Sequence, residues 1–277
     1  MNVHLTGINI FPIKSVTGIK VNEAILEPKG LALDRRWMLV DEDGMFLTQR
    51  KDPKMSQIVL SFDQINDKII ISHRSKNMGQ IAMSLTKELD TEIIKVQVWD
   101  DICDAQEVGG VYNEWFSQAL ERKCRLVFMP DTSNRPVNQK YAEPKDDVSF
   151  ADGFPFLLAN QASLDDLNGR MEAPVSMDRF RANFIIEGLS AWQEDHWSSF
   201  QIGDVPFRSV KPCARCTLLT VNPLTGEKGA EPLKTLSTFR QQGHKILFGI
   251  NACWDFPDDK STEAKVKIGD VLSFKSI

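Results

Sequence analysis

The sharpest chemical feature of the chain is Val210-Lys211-Pro212-Cys213-Ala214-Arg215-Cys216-Thr217. Paired cysteines with an arginine between them permit zinc binding, thiol–disulfide exchange, or a single thiolate ligand for a soft transition metal. Zinc needs a full tetrahedral ligand set. Cys103, Cys124 and Cys253 are isolated, and His4, His73, His196 and His244 show no metal-binding spacing, so zinc is disfavoured. A redox pair belongs at a strand-to-helix turn, whereas Thr217-Leu218-Leu219-Thr220-Val221 reads as a continuing strand. A lone thiolate remains, with Arg215 favouring its ionised form and offering itself to an anion. In a regular strand Cys216 shares a face with Ala214, while Cys213 and Arg215 point the other way. A bend, for which Pro212 is placed, is needed before Arg215 and Cys216 can meet one ligand. Spacing alone leaves the structural and the metal-ligand reading of these cysteines equally open.

Three basic clusters have the chemistry of anion sites. Phe11-Pro12-Ile13-Lys14-Ser15 joins a cation to a hydroxyl, and Leu33-Asp34-Arg35-Arg36-Trp37 sets guanidinium groups beside an aromatic ring. Asp178-Arg179-Phe180-Arg181-Ala182-Asn183 adds alternating arginines and an amide. Guanidinium forks bind phosphate in bidentate fashion, and an Asn amide offers donor and acceptor to a heterocycle edge. Taken singly, each cluster is more simply a solvated charge or an ion pair with a neighbouring Asp.

The elements that must position these residues are mostly strands. Ile8-Asn9-Ile10-Phe11, Trp37-Met38-Leu39-Val40 and Lys68-Ile69-Ile70-Ile71 are apolar runs divided by turn residues, and Asp41-Glu42-Asp43-Gly44 suits a tight hairpin. The spacing predicts a small barrel or curled sheet over the first hundred residues or so. Val111, Trp115, Phe116, Ala119 and Leu120 form an apolar stripe that predicts a helix over 111–123. The polar stretch 130–148 reads as a long loop, of the kind that carries function or moves. A second helix is expected from Asn160 to Gly169, its early acidic residues set against the helix dipole. Strands are expected at 183–186, 205–210 and 216–221, with a turn at Asn222–Gly226. Ile202-Gly203-Asp204-Val205 recurs as Ile268-Gly269-Asp270-Val271 and reads as shared turn chemistry. The expected fold class is mixed and mainly β (α+β): a small barrel-like domain over 1–120, then a β-barrel decorated with helices over 121–277.

Composition narrows the setting. The chain has 277 residues with a net charge of -5, which argues against a general nucleic-acid binder. The start, MNVHLTGINIFPIKS, lacks the marks of a signal or transit peptide, and no run approaches the roughly 20 apolar residues that span a bilayer. A reducing cytoplasm is therefore expected, with the five cysteines as thiols and ligands rather than disulfides, and no membrane partner.

In order, Phe11-Pro12-Ile13-Lys14-Ser15, Asp34-Arg35-Arg36-Trp37, Phe180-Arg181-Ala182-Asn183 and Cys213-Ala214-Arg215-Cys216 resemble the signatures of the MOSC family. Within it they resemble the proteins with a MOSC N-terminal β-barrel domain, which include the mitochondrial amidoxime reducing component and its bacterial relatives. Asp152-Gly153-Phe154-Pro155-Phe156 and Ala162-Ser163-Leu164-Asp165-Asp166-Leu167-Asn168 support the likeness, which spans nearly the whole chain. The resemblance implies a molybdenum–pterin cofactor (molybdopterin) between the two halves, with Cys216 as the protein's thiolate on molybdenum and Cys213 non-ligating. It implies that Lys14, Ser15, Arg35, Arg181, Asn183 and Arg215 hold the pterin or its phosphate, with Asp152 near the metal. Around Gly153 and Phe154 the mitochondrial proteins carry hydroxyl residues that this chain lacks. The implied reaction is reductive removal of oxygen from N-hydroxylated small molecules. Because the chain stops at Ile277 with no iron–sulfur domain, a separate electron-donor protein of ferredoxin, flavin or haem type is expected. Two rival readings keep the fold: a sulfur carrier using a Cys216 persulfide to deliver sulfur to metal centres, and a non-catalytic module binding another phosphate ligand.

Overall fold

A computed structural model describes residues 2–276 apart from 86–88, 90, 142 and 257–262. Seven strands close into a barrel: β1 (Val3–Ile10), β2 (Phe156–Asn160), β3 (Phe184–Glu187), β4 (Trp197–Ile202), β5 (Val205–Arg215), β6 (Lys245–Trp254) and β7 (Val271–Ser276). The order around the ring is β2-β3-β1-β7-β4-β5-β6, and pairing of Leu157 with Asn251 returns β6 to β2. Strands β2 and β3 run parallel, so a crossover must join them, and the helix Gln161–Asn168 supplies it.

Alternation along the strands turns Phe156, Phe184, Phe200 and Phe207 into the barrel, where none is more than 2% exposed. Phe200 and Phe207 stack at 5.0 Å and Phe156 and Phe184 at 5.5 Å. Full burial of each ring contributes about 1.5–3 kcal/mol, which fixes the barrel that carries β5. The repeated Ile-Gly-Asp-Val tetrad forms a turn both times, with Gly203 and Gly269 at positive φ (57° and 93°) ahead of β5 and β7.

Against the barrel packs a half-barrel. Its main sheet runs Trp37–Val40, Arg125–Phe128, Asp101–Glu107, Ile93–Val98, beside a smaller one of Ile58–Asp63, Lys68–His73 and Ile81–Ser84. The Asp41–Gly44 hairpin forms as expected, with the Gly44 N–H donating to Asp41 O at 3.1 Å. The first helix is Gly110–Leu120, burying Trp115, Phe116, Ala119 and Leu120. It stops short of Lys123 because Glu121 enters the left-handed region at φ 56°.

The second helix begins after Asn160, whose side chain accepts the Ala162 N–H. That cap replaces the expected acidic first turn, since Asp165 and Asp166 lie beyond it. Backbone pairing crosses residue 120 in both directions. β1 pairs with β3 and β7, and Trp37–Val40 pairs with Arg125–Phe128. Groups from the first forty residues are thereby held rigidly against the second half. Among the described residues no helix is long and apolar enough to cross a membrane.

Candidate functional site

All eight residues singled out by the sequence line one cavity of about 320 Å³: Lys14, Ser15, Arg35, Asp152, Arg181, Asn183, Arg215 and Cys216. They arrive from loops at the ends of barrel strands and from the turn before Trp37. Lys14 and Ser15 follow β1, Arg181 and Asn183 precede β3, and Arg215 ends β5. Asp34 fixes the junction. Its buried carboxylate accepts the Phe11 N–H at 2.8 Å and pairs with Arg35 at 2.5 Å. Arg35 also donates to Asn183 Oδ1 and to the Arg181 carbonyl, at 3.1 and 3.2 Å. The simpler ion-pair reading holds outright for Arg36, which is spent on Glu27, Asp131 and the Met129 carbonyl.

Ser15, Arg35 and Arg181 all adopt left-handed backbone, with φ of 65°, 51° and 55°. For a non-glycine residue this costs roughly 1–2 kcal/mol, so packing and pairing elsewhere must hold all three. Such strain gathers where the chain aims side chains at a ligand. Ser15→Gly is expected to raise the thermal midpoint of the ligand-free protein while weakening its retention of a bound anion. Differential scanning calorimetry beside an anion-binding titration reads both effects. A lower midpoint would show that the Ser15 conformation carries no strain.

Several donors on residues that line the cavity have no protein partner among the described residues. Arg181 donates Nη1 to the Val16 carbonyl at 2.6 Å, but its buried Nη2 has no acceptor. Arg215 gives Nη2 to the Phe180 carbonyl and Nη1 to Cys213 Sγ, leaving its buried Nε unpaired. Ser15 is 5% exposed and its hydroxyl meets no protein acceptor. Leaving buried donors unpaired costs about 1–3 kcal/mol each, a cost that an anion in the cavity would remove. Asn183 differs from expectation. Its Oδ1 accepts from Arg35 and the Leu157 N–H and its Nδ2 gives one hydrogen to the Asn9 carbonyl, so it positions the arginine as well as lining the cavity.

Burial sets the electrostatics. Desolvation brings Arg181 down to about 9, with Arg35 adding to the fall. Desolvation likewise lowers Lys14 to about 8, against the pull of Asp152, whose Oδ1 lies 2.6 Å from Nζ. Lys14 also donates to the Phe150 carbonyl at 2.6 Å. For Asp152, partial desolvation acts upward, but Lys14, Arg50 and the Trp99 indole outweigh it and hold the carboxylate below its usual range. Its side chain is 60% exposed, so it stands at the cavity rim. A lysine that deprotonates earlier folded than unfolded binds fewer protons when native between about pH 8 and its ordinary value near 10.5. The stability cost of its burial is thus full below pH 8 and is relieved as pH rises through that window. Anion binding moves the other way, because only the ammonium attracts. Affinity for inorganic phosphate is expected to fall between about pH 7.5 and 8.5 in the wild type and to lose most of that slope in Lys14→Met, as read by calorimetric titration. A flat wild-type profile would remove Lys14 from the anion site.

The cysteine segment corrects two expectations. Strand β5 does not alternate through it, because bulges interrupt its pairing with β6 between Ser209 and Lys211 and again between Pro212 and Ala214. Lys211, Cys213, Ala214, Arg215 and Cys216 therefore line the same cavity. The strand expected over 216–221 is a 3-10 turn, Thr217–Thr220, starting from an extended Cys216. Gln241–Gln242 pair with the opposite edge of β6 and do not take the place of that segment. Thr220 Oγ1 donates to the Thr217 carbonyl and Arg179 caps the Leu219 carbonyl at 2.9 Å. The ground for setting aside a redox pair therefore falls, and the choice rests on the donors around it. Both thiols are free, and Cys213 is engaged by Arg215 at 3.0 Å. Among the described residues no cluster of His, Cys, Asp and Glu forms a metal site by itself.

Sequence reasoning missed the supporting residues. Lys211 lines the cavity with its ammonium 3.9 Å from the Tyr141 ring centre and 4.9 Å from that of Phe154. Arg135, 3% exposed, donates to the Ser149 and Ala151 carbonyls at 2.7 and 2.5 Å and so fixes the approach to Asp152. The one signal for Arg135 was its place in the long polar loop.

A seven-stranded barrel with a half-barrel packed on it, and a cavity lined by cations and by a thiol that has no partner among the described residues, define a class of β proteins. The chain belongs to the MOSC family, matching the MOSC N-terminal beta barrel domain over residues 2–123 and the MOSC domain over 145–273. It is 34% identical to mouse mitochondrial amidoxime-reducing component 1, over 87% of this chain and 73% of that protein. The human protein of that name is 31% identical, over 94% and 80%. Rice molybdenum cofactor sulfurase is also 31% identical over 90% of this chain, which spans only 32% of the sulfurase.

Proposed function

We propose that the chain holds a molybdenum–pterin cofactor in this cavity and reduces N-hydroxylated small molecules. The observation that carries the reading is the gathering of Lys14, Ser15, Arg35, Arg181 and Arg215 around the same space as Cys216, with buried unpaired nitrogens on Arg181 and Arg215. Those donors suit a phosphate and a polar heterocycle, and a thiolate suits molybdenum, so the residues present fit the group. Cys216 would supply the thiolate. Lys14, Ser15, Arg35, Arg181 and Arg215 would hold the pterin and its phosphate, with Asn183 fixing Arg35. When bound, the group supplies two-electron oxygen-atom transfer chemistry.

The protein's own work is positional. Arg35 and Arg181 flank the Phe11 ring at 4.3 and 4.2 Å, which keeps two desolvated cations in fixed places. Asp152 keeps the buried Lys14 charged, and as an ionised carboxylate at the mouth it is placed to accept a hydrogen bond from a substrate N–H or O–H. We assign residues 1–120 and 121–277 to two units with the cofactor between them, in a cytoplasmic setting, and with electrons from a separate ferredoxin-, flavin- or haem-type protein. The likeness to the rice sulfurase favours a second reading, a Cys216 persulfide that delivers sulfur.

The test is steady-state reduction of benzamidoxime by cofactor-loaded protein with chemically reduced viologen as donor. Turnover supports N-reduction. Absence of turnover with benzamidoxime, a hydroxamic acid and a hydroxylated nucleobase, together with a persulfide on Cys216 by mass spectrometry, would replace it with the sulfur-carrier reading.

A further inference from the structure

Beside the cysteine cavity lies a second and larger one, of about 540 Å³. Arg181 and Leu218 line both. Its size is within the range of small-molecule sites, roughly 300–1,000 Å³, and nothing in the reading above uses it. We propose that this second cavity binds a nucleoside monophosphate, as a free nucleotide or as the nucleotide portion of an extended pterin cofactor.

Gln49 is the first support. It is 5% exposed yet lines the cavity, and among the described residues its side-chain amide has no hydrogen-bond partner. The residue is buried on all sides but the cavity, so its amide is left to meet whatever fills that space. An amide aimed into a cavity presents a donor and an acceptor side by side, the pattern that reads the edge of a nucleobase. Neighbouring Val59, Val221 and Leu224 give apolar surface for the faces of a planar ring.

Charge is the second support. Arg74, Arg179 and Arg181 line the same space, and none has an ion pair among the described residues. Arg179 spends one nitrogen on the Leu219 carbonyl and keeps the rest of its guanidinium for a ligand. The lining carboxylate, Asp178, faces Lys20 at 3.8 Å. A site with guanidinium groups in excess and one unpaired amide matches a ligand that is anionic at one end and an amide-like heterocycle at the other. Inorganic phosphate alone would leave Gln49 and the apolar wall without a role.

The test is isothermal titration calorimetry of the full chain, prepared without cofactor, with GMP, AMP, CMP and UMP, against ribose 5-phosphate and inorganic phosphate. At least one nucleotide is expected to bind about tenfold or more tightly than ribose 5-phosphate. Gln49→Leu should remove that advantage while leaving ribose 5-phosphate binding unchanged, and Arg179→Gln should weaken both. Gln49→Leu removes an unpaired amide, so its thermal midpoint should hold. If the variant still fails to fold, Arg179→Gln on the half-exposed side and the wild-type ligand series decide the matter. Nucleotides no tighter than ribose 5-phosphate, or a preference that survives Gln49→Leu, would overturn the proposal. The source is separated by denaturing protein from a cofactor-sufficient host: nucleotide that resists dialysis and is released in proportion to pterin belongs to the cofactor, whereas freely dialysable nucleotide is a separate ligand. A benzamidoxime assay on the same protein reports on the N-reductive reading independently.

Discussion

Cys216→Ala is expected to abolish the reduction of N-hydroxylated substrates and to lose bound molybdenum, while Cys213→Ala retains most of both. Losing a residue that merely orients a metal ligand typically costs about 10- to 100-fold in affinity or activity, so losing the ligand itself should exceed that range. Cys213 makes one side-chain contact that bears on the site, accepting from Arg215 at 3.0 Å. Its removal frees a guanidinium nitrogen without removing a charge, and a loss of a few-fold is expected. Neither change should unfold the chain. Both thiols are only half-buried, and the Cys216 side chain does not cap the 3-10 turn that follows it. Turnover and metal content of the two variants, beside circular dichroism, make the comparison. Equal losses in both would overturn the assignment of Cys216 as the ligand.

The second large effect concerns Arg181. Its guanidinium is desolvated, is pushed down to about 9, and holds a buried nitrogen with no acceptor. Arg181→Met keeps the bulk over Phe11 and removes the charge. The Val16 carbonyl loses its 2.6 Å donor, which offsets the gain from no longer burying a cation. The ligand-free variant is therefore expected to melt within a few degrees of the wild type, with the cost appearing in binding. One charge-assisted hydrogen bond contributes about 1.5–3 kcal/mol, which predicts at least tenfold weaker retention of the pterin. Released pterin measured by fluorescence, with thermal melts of the same samples, separates the two effects. A variant that retains full pterin would show that the unpaired nitrogen faces no part of the cofactor.

These expectations draw on residues that were legible in the sequence for chemical reasons. Lys14, Ser15, Arg35, Arg181 and Arg215 lay in or beside basic clusters that the family resemblance joined into one expected site, and one cavity brings them together. The helix Gly110–Leu120 was readable from one apolar stripe, and its early end was not, since a left-handed Glu121 leaves no compositional mark. What followed Cys216 was misread because Leu218 and Leu219 fit a strand as well as a 3-10 turn. The outcome turns on β5 leaving β6 after Arg215, with Thr220 and Arg179 closing the turn that follows. Likewise the two bulges in β5 undo the alternation that would have parted Arg215 from Cys216, and only Pro212 hinted at them. Gln49 sits in Thr48-Gln49-Arg50, which reads as a solvated polar turn, although Thr48 and Gln49 are 6% and 5% exposed. A residue whose importance comes from having no partner cannot be found until the space around it is known.

The central claim is that this cavity holds molybdenum through Cys216, and the most direct measurement is the molybdenum and released pterin content of protein from a cofactor-sufficient host, beside Cys216→Ala. Near-stoichiometric molybdenum and pterin in the wild type, with molybdenum lost from the variant, is the predicted result. Wild-type protein free of molybdenum under those conditions, with Cys216 carrying a persulfide, would contradict it.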